Sequence, residues 1–245
     1  GQASVSATSA DAQTITIGSG SMSASAGTHA DSAVVLAGTT GNDFANFNFS
    51  ALNEDYTIQE LRFTIENNFA TSTTGITLDY PTASGTATAN GIFIASGDDY
   101  YATFTGLDMF VEADNEASVT VKIHTTTIAS GGTSGASGTV TFVYNSGFKA
   151  VGSSGTTVSS AGSANLSGNT MYLRKSKPTF AKTVISATTP SSDSALFKFT
   201  VVADSLGDVD IKQLGFTVTT TGTTVTALKL YNTDTGLAIT DTGVD

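Results

Sequence analysis

Two strips of this chain alternate apolar and polar residues with a period of two, and they match each other 150 residues apart. Asp43-Phe44-Ala45-Asn46-Phe47-Asn48-Phe49-Ser50 aligns with Asp193-Ser194-Ala195-Leu196-Phe197-Lys198-Phe199-Thr200. Shortly after, Ile58, Leu61, Phe63 and Ile65 align with Ile211, Leu214, Phe216 and Val218 at an offset of 153, the extra three residues falling in the turn between, where insertions are tolerated. A period of two sends successive side chains to opposite faces of an extended backbone, so each strip is a strand with one face apolar and one solvated. A chain built on such strips, twice, is constrained to fold as sheets that bury one face each.

The same alternation recurs at Val119, Val121 and Ile123 and at Val140, Phe142 and Tyr144, and no window of a dozen residues sustains a helical period. Asn90-Gly91, between Thr86–Ala89 and Ile92–Ile94, predicts a tight hairpin, since both residues tolerate positive φ. Gly-Ser clusters at 130–138 and 152–168 read as loop or edge material. The fold class expected is all-β, with tandem antiparallel β-sandwich modules. Residues 1–27 read as an N-terminal leader or exchanged strand, 28–177 as the first sandwich, and 178–245 as the second. The boundary is placed at Arg174-Lys175-Ser176-Lys177-Pro178, a basic connector. The second module has only 68 residues. A half sandwich leaves an apolar face and sheet edges open. Three explanations stand: a fragment of a longer polypeptide, a smaller sandwich, or completion by another subunit.

Composition narrows the function classes. The chain has 245 residues with 43 Thr and 29 Ser, but only 13% charged residues and a net charge of −11. Ten Lys and Arg are too few for a nucleic-acid surface, which needs clustered cations for phosphate contacts. No apolar run approaches the ~20 residues of a membrane span. The absence of Cys removes disulfides, thiol catalysis and thiolate metal sites. No Gly-x-Ser-x-Gly elbow and no Gly-rich phosphate loop occurs. With two His and no Trp, no enzymatic activity is expected.

Ala102-Thr103-Phe104-Thr105-Gly106-Leu107-Asp108-Met109-Phe110-Val111-Glu112-Ala113 with Ser118-Val119-Thr120-Val121-Lys122-Ile123, and Ser167-Gly168-Asn169-Thr170-Met171-Tyr172-Leu173-Arg174-Lys175-Ser176-Lys177-Pro178, resemble recurring segments of bacterial cell-surface proteins. Phe197-Lys198-Phe199-Thr200 through Phe216-Thr217-Val218 resembles the opening of a following module. The family is that of tandem immunoglobulin-like β-sandwich modules in S-layer or adhesin-type proteins. The resemblance implies an extracellular scaffold and transfers no catalytic residue.

Candidate sites are few. No cofactor is required. Ca²⁺ is the cation whose hard oxygen ligands the acidic turns supply, at Asp204, Asp208 and Asp210, at Asp98 with Asp99, at Asn53-Glu54-Asp55, and at Asp114 with Glu116. Asn232-Thr233-Asp234-Thr235-Gly236 carries part of a calcium-loop pattern. Asn48 and Asn165 stand in glycosylation sequons, and alternation turns Asn48 away from the Phe47 and Phe49 face. Thr14-Ile15-Thr16-Ile17 reads as an assembly strand that adds to a neighbour's sheet edge. The expected function is an extracellular structural subunit at the cell surface, self-assembling into a layer or filament through sheet-edge or module-end contacts. Its partners are copies of itself, with cell-envelope glycans as a further class. The alternative is an adhesin or carbohydrate-binding module, for which Asp98-Asp99-Tyr100-Tyr101 supplies an outward tyrosine.

Overall fold

The structure, a computed structural model, describes residues 19–28, 33–97, 99–185, 194–222, 224–225 and 227–239. Its strands are β1 (Ser21–Ala26), β2 (Ala33–Leu36), β3 (Asn42–Leu52), β4 (Tyr56–Ile65), β5 (Thr73–Thr82), β6 (Gly85–Gly91), β7 (Ile94–Ser96), β8 (Asp99–Val111) and β9 (Glu116–Thr125). Then follow β10 (Ser137–Gly138), β11 (Thr141–Phe142), β12 (Lys149–Gly152), β13 (Thr157–Val158), β14 (Leu166–Ser167), β15 (Met171–Arg174), β16 (Thr179–Thr183) and β17 (Lys198–Val202). Two helical turns, α1 (Asn67–Ala70) and a 3-10 turn at Ile128–Ser130, interrupt them. The protein is nearly all β, as the alternation requires. The chain divides into two compact units, Gly1–Val209 and Asp210–Asp245, a division that falls inside the second repeat copy.

Within the first unit, one sheet has the order β1-β3-β9-β5-β6. In the other, β4 is the hub: β8 takes one edge, and β12 and β11 share the opposite edge end to end. All these pairs are antiparallel, whereas β2 and β15 pair in parallel beside β10. The apolar faces of the two large sheets meet. Phe47 and Phe49 from β3 are fully buried against Phe63 of β4 and Phe142 of β11. The Phe142 ring lies 6.0 Å from Phe47, 5.2 Å from Phe49, 6.0 Å from Phe63 and 5.9 Å from Phe148, the Phe49 and Phe148 contacts edge-on. That edge-to-face geometry matches the quadrupoles of the rings and adds to the gain from area alone.

The step from Ile58 to Leu61 breaks the period of two, yet both residues are buried. The β4–β8 register shifts between Ile58 and Glu60, and the β12 register shifts opposite the same place. A bulge inserts one residue, so the apolar set returns to the core face after it. The second copy has the same three-residue step from Ile211 to Leu214.

Asn90-Gly91 is not a hairpin turn, contrary to the sequence expectation. Both residues lie in β6, Asn90 opposite Thr77 and Gly91 opposite Ile76, and the chain then crosses to the other sheet. A Cβ on Gly91 would stand 3.0 Å from the buried Phe104 ring, so glycine here serves close packing. The tight turns lie elsewhere, between Thr82 and Gly85 and between Ser96 and Asp99.

The repeat read from the sequence has a counterpart in strand pairing. β1 and β3 align Ser21 with Leu52, Met22 with Ala51 and Ala24 with Phe49. β16 and β17 align Thr179 with Val202, Phe180 with Val201 and Lys182 with Phe199. Each β17 residue lies 150 positions after its β3 equivalent and each β16 residue 158 after its β1 equivalent, through five consecutive pairs. The correspondence stops there. Residues 211–218, which match β4 in pattern, form no strand among the described residues. β4 is held by ladders on both edges, and among the described residues no ladder includes residues 211–218.

Candidate functional site

The acidic turns come together at one end of the first unit, and their oxygens hold main-chain donors. Asp55 Oδ1 accepts from the Ala113 N–H at 2.7 Å, and Asp114 Oδ1 accepts from the Asn53 N–H at 3.0 Å, so the β3–β4 and β8–β9 turns clasp one another. Asn53 and Asp114 both adopt positive φ, 65° and 57°, a conformation Asn and Asp tolerate best among residues with a side chain. Glu54 reaches the β12–β13 turn: its Oε2 accepts from the Ser154 N–H at 2.9 Å and its Oε1 from the Tyr56 hydroxyl at 3.1 Å. Gly152 leaves room for it, since a Cβ there would meet the carboxylate carbon at 2.7 Å. The Ser154 amide bond, above all, holds the Glu54 pKa below its ordinary value. Desolvation, reinforced by Glu54, raises that of Tyr56. These carboxylates fix loops by charge-assisted hydrogen bonds.

The other acidic candidates are dispersed. Asp204 accepts from the Leu206 N–H at 2.9 Å and closes its own turn, while Asp208 and Asp210 are exposed. Asp99 opens β8 at the surface, and Asp98 lies outside the described residues. Asn232 accepts from the Asp234 and Thr235 amides in a local Asx turn. Among the described residues no three His, Asp or Glu side chains gather so as to hold a metal ion.

Asn48 sits in mid-strand on the outer face of β3 and accepts from the Ser118 hydroxyl at 2.7 Å; Asn165 accepts from the Tyr144 N–H at 3.3 Å. Thr14, Ile15, Thr16 and Ile17 lie outside the described residues. Of the tyrosine pair, Tyr100 packs against the core and Tyr101 carries Arg62 over its ring at 4.9 Å.

The outer face of the β3-β9-β5-β6 sheet holds a continuous polar lattice that no sequence motif announces. Thr120 donates to Asn46 at 2.8 Å, and Ser50 to Glu116 at 3.3 Å. Lys122 stands between two carboxylates, 2.7 Å from Asp79 Oδ2 and 3.9 Å from Asp43 Oδ1, and Thr88 donates to Asp79 Oδ1 at 2.8 Å. Lys122 and then Thr88 push the Asp79 pKa down, and Asp79 raises that of Lys122. His124 Nδ1 accepts from the Gly41 N–H at 3.1 Å, so its proton resides on Nε2 and is given to Thr77 at 2.7 Å, which donates onward to Asn90 at 2.7 Å. A shallow groove of about 560 Å³, lined in part by Asp79, Thr86, Thr88, Ser118 and Thr120, runs along this face. These contacts join strands β9, β5 and β6, whose order the sequence does not state.

The second repeat copy differs from the first in exposure. Phe47, Ile58 and Phe63 are wholly buried, whereas their equivalents Phe197, Ile211 and Phe216 are 51%, 44% and 43% exposed. Phe180 and Val202 of the β16–β17 ribbon are likewise exposed.

No family model and no curated protein matches the chain. A solved structure similar to it is described as "AvmM Catalyzes Macrocyclization in Alchivemycin A Biosynthesis", with 9% identity and a TM-score of 0.34 over 62% of this chain and 88% of that one. The expectation that the chain is not an enzyme is withdrawn on this finding. A likeness of that size assigns no reaction and no residues. Among the described residues no helix is long and apolar enough to cross a membrane.

Proposed function

We propose that the protein is an extracellular structural subunit of a cell surface, built from tandem β-sandwich modules over residues 28–177 and 178–245, that assembles with copies of itself into a layer or filament. One observation carries this reading. Positions that the first repeat copy buries completely are about half exposed in the second, among them Phe197, Ile211 and Phe216. Apolar side chains laid out in a pattern known to bury itself, yet about half exposed, support contacts that another chain covers. Contacts that pair one end of a subunit with a different end of the next are head-to-tail and propagate. The polar lattice of the outer sheet face supplies a wettable exterior without Lys-rich charge.

Electron microscopy of the purified full-length chain tests the proposal. Regular filaments or sheets are expected at concentrations where scattering shows growth. Monodisperse single particles at every concentration would refute it.

A further inference from the structure

β6 is an edge strand without the usual guards. It ends the sheet β1-β3-β9-β5-β6, and each of its residues pairs with β5 on one side only. Among the described residues no main-chain bond meets its other side. Folded proteins blunt such edges with charge, proline, a bulge or extreme shortness. The facing sheet uses these devices: β13 and β14 are two residues long, and β8 carries Asp108 and shifts register where it passes Ile58 and Glu60. β6 uses none of them. Gly85-Thr86-Ala87-Thr88-Ala89-Asn90-Gly91 holds no charged residue and no proline, and its ladder with β5 runs without a register shift. The chain leaves β6 for β7 through Ile92, and Ile92 and Ile94 are 62% and 54% exposed. Unpaired backbone and bare apolar side chains therefore share one border of the first unit.

We propose that this edge pairs with the same edge of a second copy, β6 against β6, antiparallel about a twofold axis at Thr88. The strand's own sequence identifies the occupant, because it reads nearly the same in both directions. A twofold contact sets one patch against itself, so a strand that forms it has to complement its own reverse. With Thr88 opposite Thr88, Ala87 stands opposite Ala89, Thr86 opposite Asn90 and Gly85 opposite Gly91. Both alanines pack against the hydrophobic core, while Thr86, Thr88 and Asn90 alternate with them on the outer face. Threonine pairs are favourable across antiparallel strands. Asn90 Oδ1 already accepts from the Thr77 hydroxyl at 2.7 Å, which leaves its amide N–H groups to donate to Thr86 of the second copy. The Asp79 carboxylate beside the junction is already held by Thr88 and Lys122, so no free charge opposes the approach. A slip of one residue would set outer-face threonine against core-face alanine. Main-chain hydrogen bonds give the affinity, as in strand addition at any sheet edge, and the alternate side chains give the register.

The pairing deepens the assembly reading and rests on its premise that copies of the chain meet, but it is tested apart from it. The chain has no cysteine, so introduced thiols report without background. Thr88→Cys puts both thiols at the axis, with opposed Cα atoms about 4.5–5.5 Å apart, inside disulfide range. Mild oxidation of that full-length variant is expected to give a covalent dimer. Thr86→Cys alone is expected to link several-fold less, because its two thiols lie about 14 Å apart across the axis. Thr86→Cys mixed with Asn90→Cys is expected to recover the yield as a heterodimer. Equal yields from Thr88→Cys and from Thr86→Cys alone would overturn the register. Absence of a link from Thr88→Cys, or from the mixture, would overturn the pairing. Thr88→Cys that links to Ser23→Cys in β1 in preference to itself would replace the twofold by a head-to-tail edge contact. Micrographs of the unmodified protein separate the two readings. Polymers from a chain without the 88–88 link sink the pairing alone, and the link in a protein that never polymerises sinks the layer or filament alone.

Discussion

Phe142 meets four other phenylalanine rings between the two large sheets, and its position shows what one residue contributes. Truncation to alanine leaves a ring-sized void among neighbours locked in two ladders, so Phe142→Ala should cost about 3–5 kcal/mol in urea unfolding. The period of two already names Phe47, Phe49, Phe63 and Phe142 as inward residues, because burial of alternate positions is a local property of the strand. It does not pair Lys122 with Asp79, which are 43 positions apart and meet only through the β5–β9 register. That pair has a pH signature. Asp79 is held below its ordinary pKa by the Lys122 ammonium and the Thr88 hydroxyl. Its contribution is therefore present above the unfolded-state value and lost as pH falls through the folded one. Melting temperatures of the parent should fall between about pH 5 and 2, and Asp79→Asn should make that fall slightly shallower, the effect being small because the pair is partly solvated. An unchanged acid limb in the variant would contradict the assignment.

At the scale of the element, the three-residue step from Ile58 to Leu61 is written in the sequence, but the bulge that absorbs it shows only in the register shifts against β8 and β12. The role of Asn90-Gly91 was not. A turn dipeptide and a close-packed strand glycine look alike in sequence, and the buried Phe104 ring that distinguishes them comes from a strand in the other sheet. Gly91→Ala adds a methyl group 3.0 Å from that ring, and overpacking of this kind should destabilise by about 1–3 kcal/mol in chemical denaturation. The same substitution in a solvated hairpin would cost less than that, so the measurement separates the two roles. Asp and Glu at turns can hold a cation or a main-chain amide, and sequence alone does not separate the two. Only the folded chain brings the Ala113, Asn53 and Ser154 amides to Asp55, Asp114 and Glu54.

For the whole molecule, the sequence discloses a strand pattern that recurs 150 residues on. It did not disclose that the pairing of β16 with β17 reproduces that of β1 with β3, because β1 and β16 share little beyond strand pattern. Deletion of residues 1–20 should leave a folded chain that no longer polymerises, by sedimentation and microscopy, since the core cluster of the described residues begins at Met22. Polymerisation that survives the deletion would remove the N-terminal segment from the contact.

The parallel pairing of β2 with β15 aligns Ala33 with Met171 and Leu36 with Arg174, and the Ala37 N–H extends the ladder to the Arg174 carbonyl at 2.9 Å. β2 lies near the start of the first sandwich and β15 near its end. Tension drawn along the chain through these two strands pulls them in opposite directions along a common axis. Every rung of the ladder is then loaded at once, where an antiparallel pair pulled from one end would unzip rung by rung. A module stitched in this way resists being stretched more strongly than its short strands would imply, and force spectroscopy on single chains would register it as one tall rupture peak.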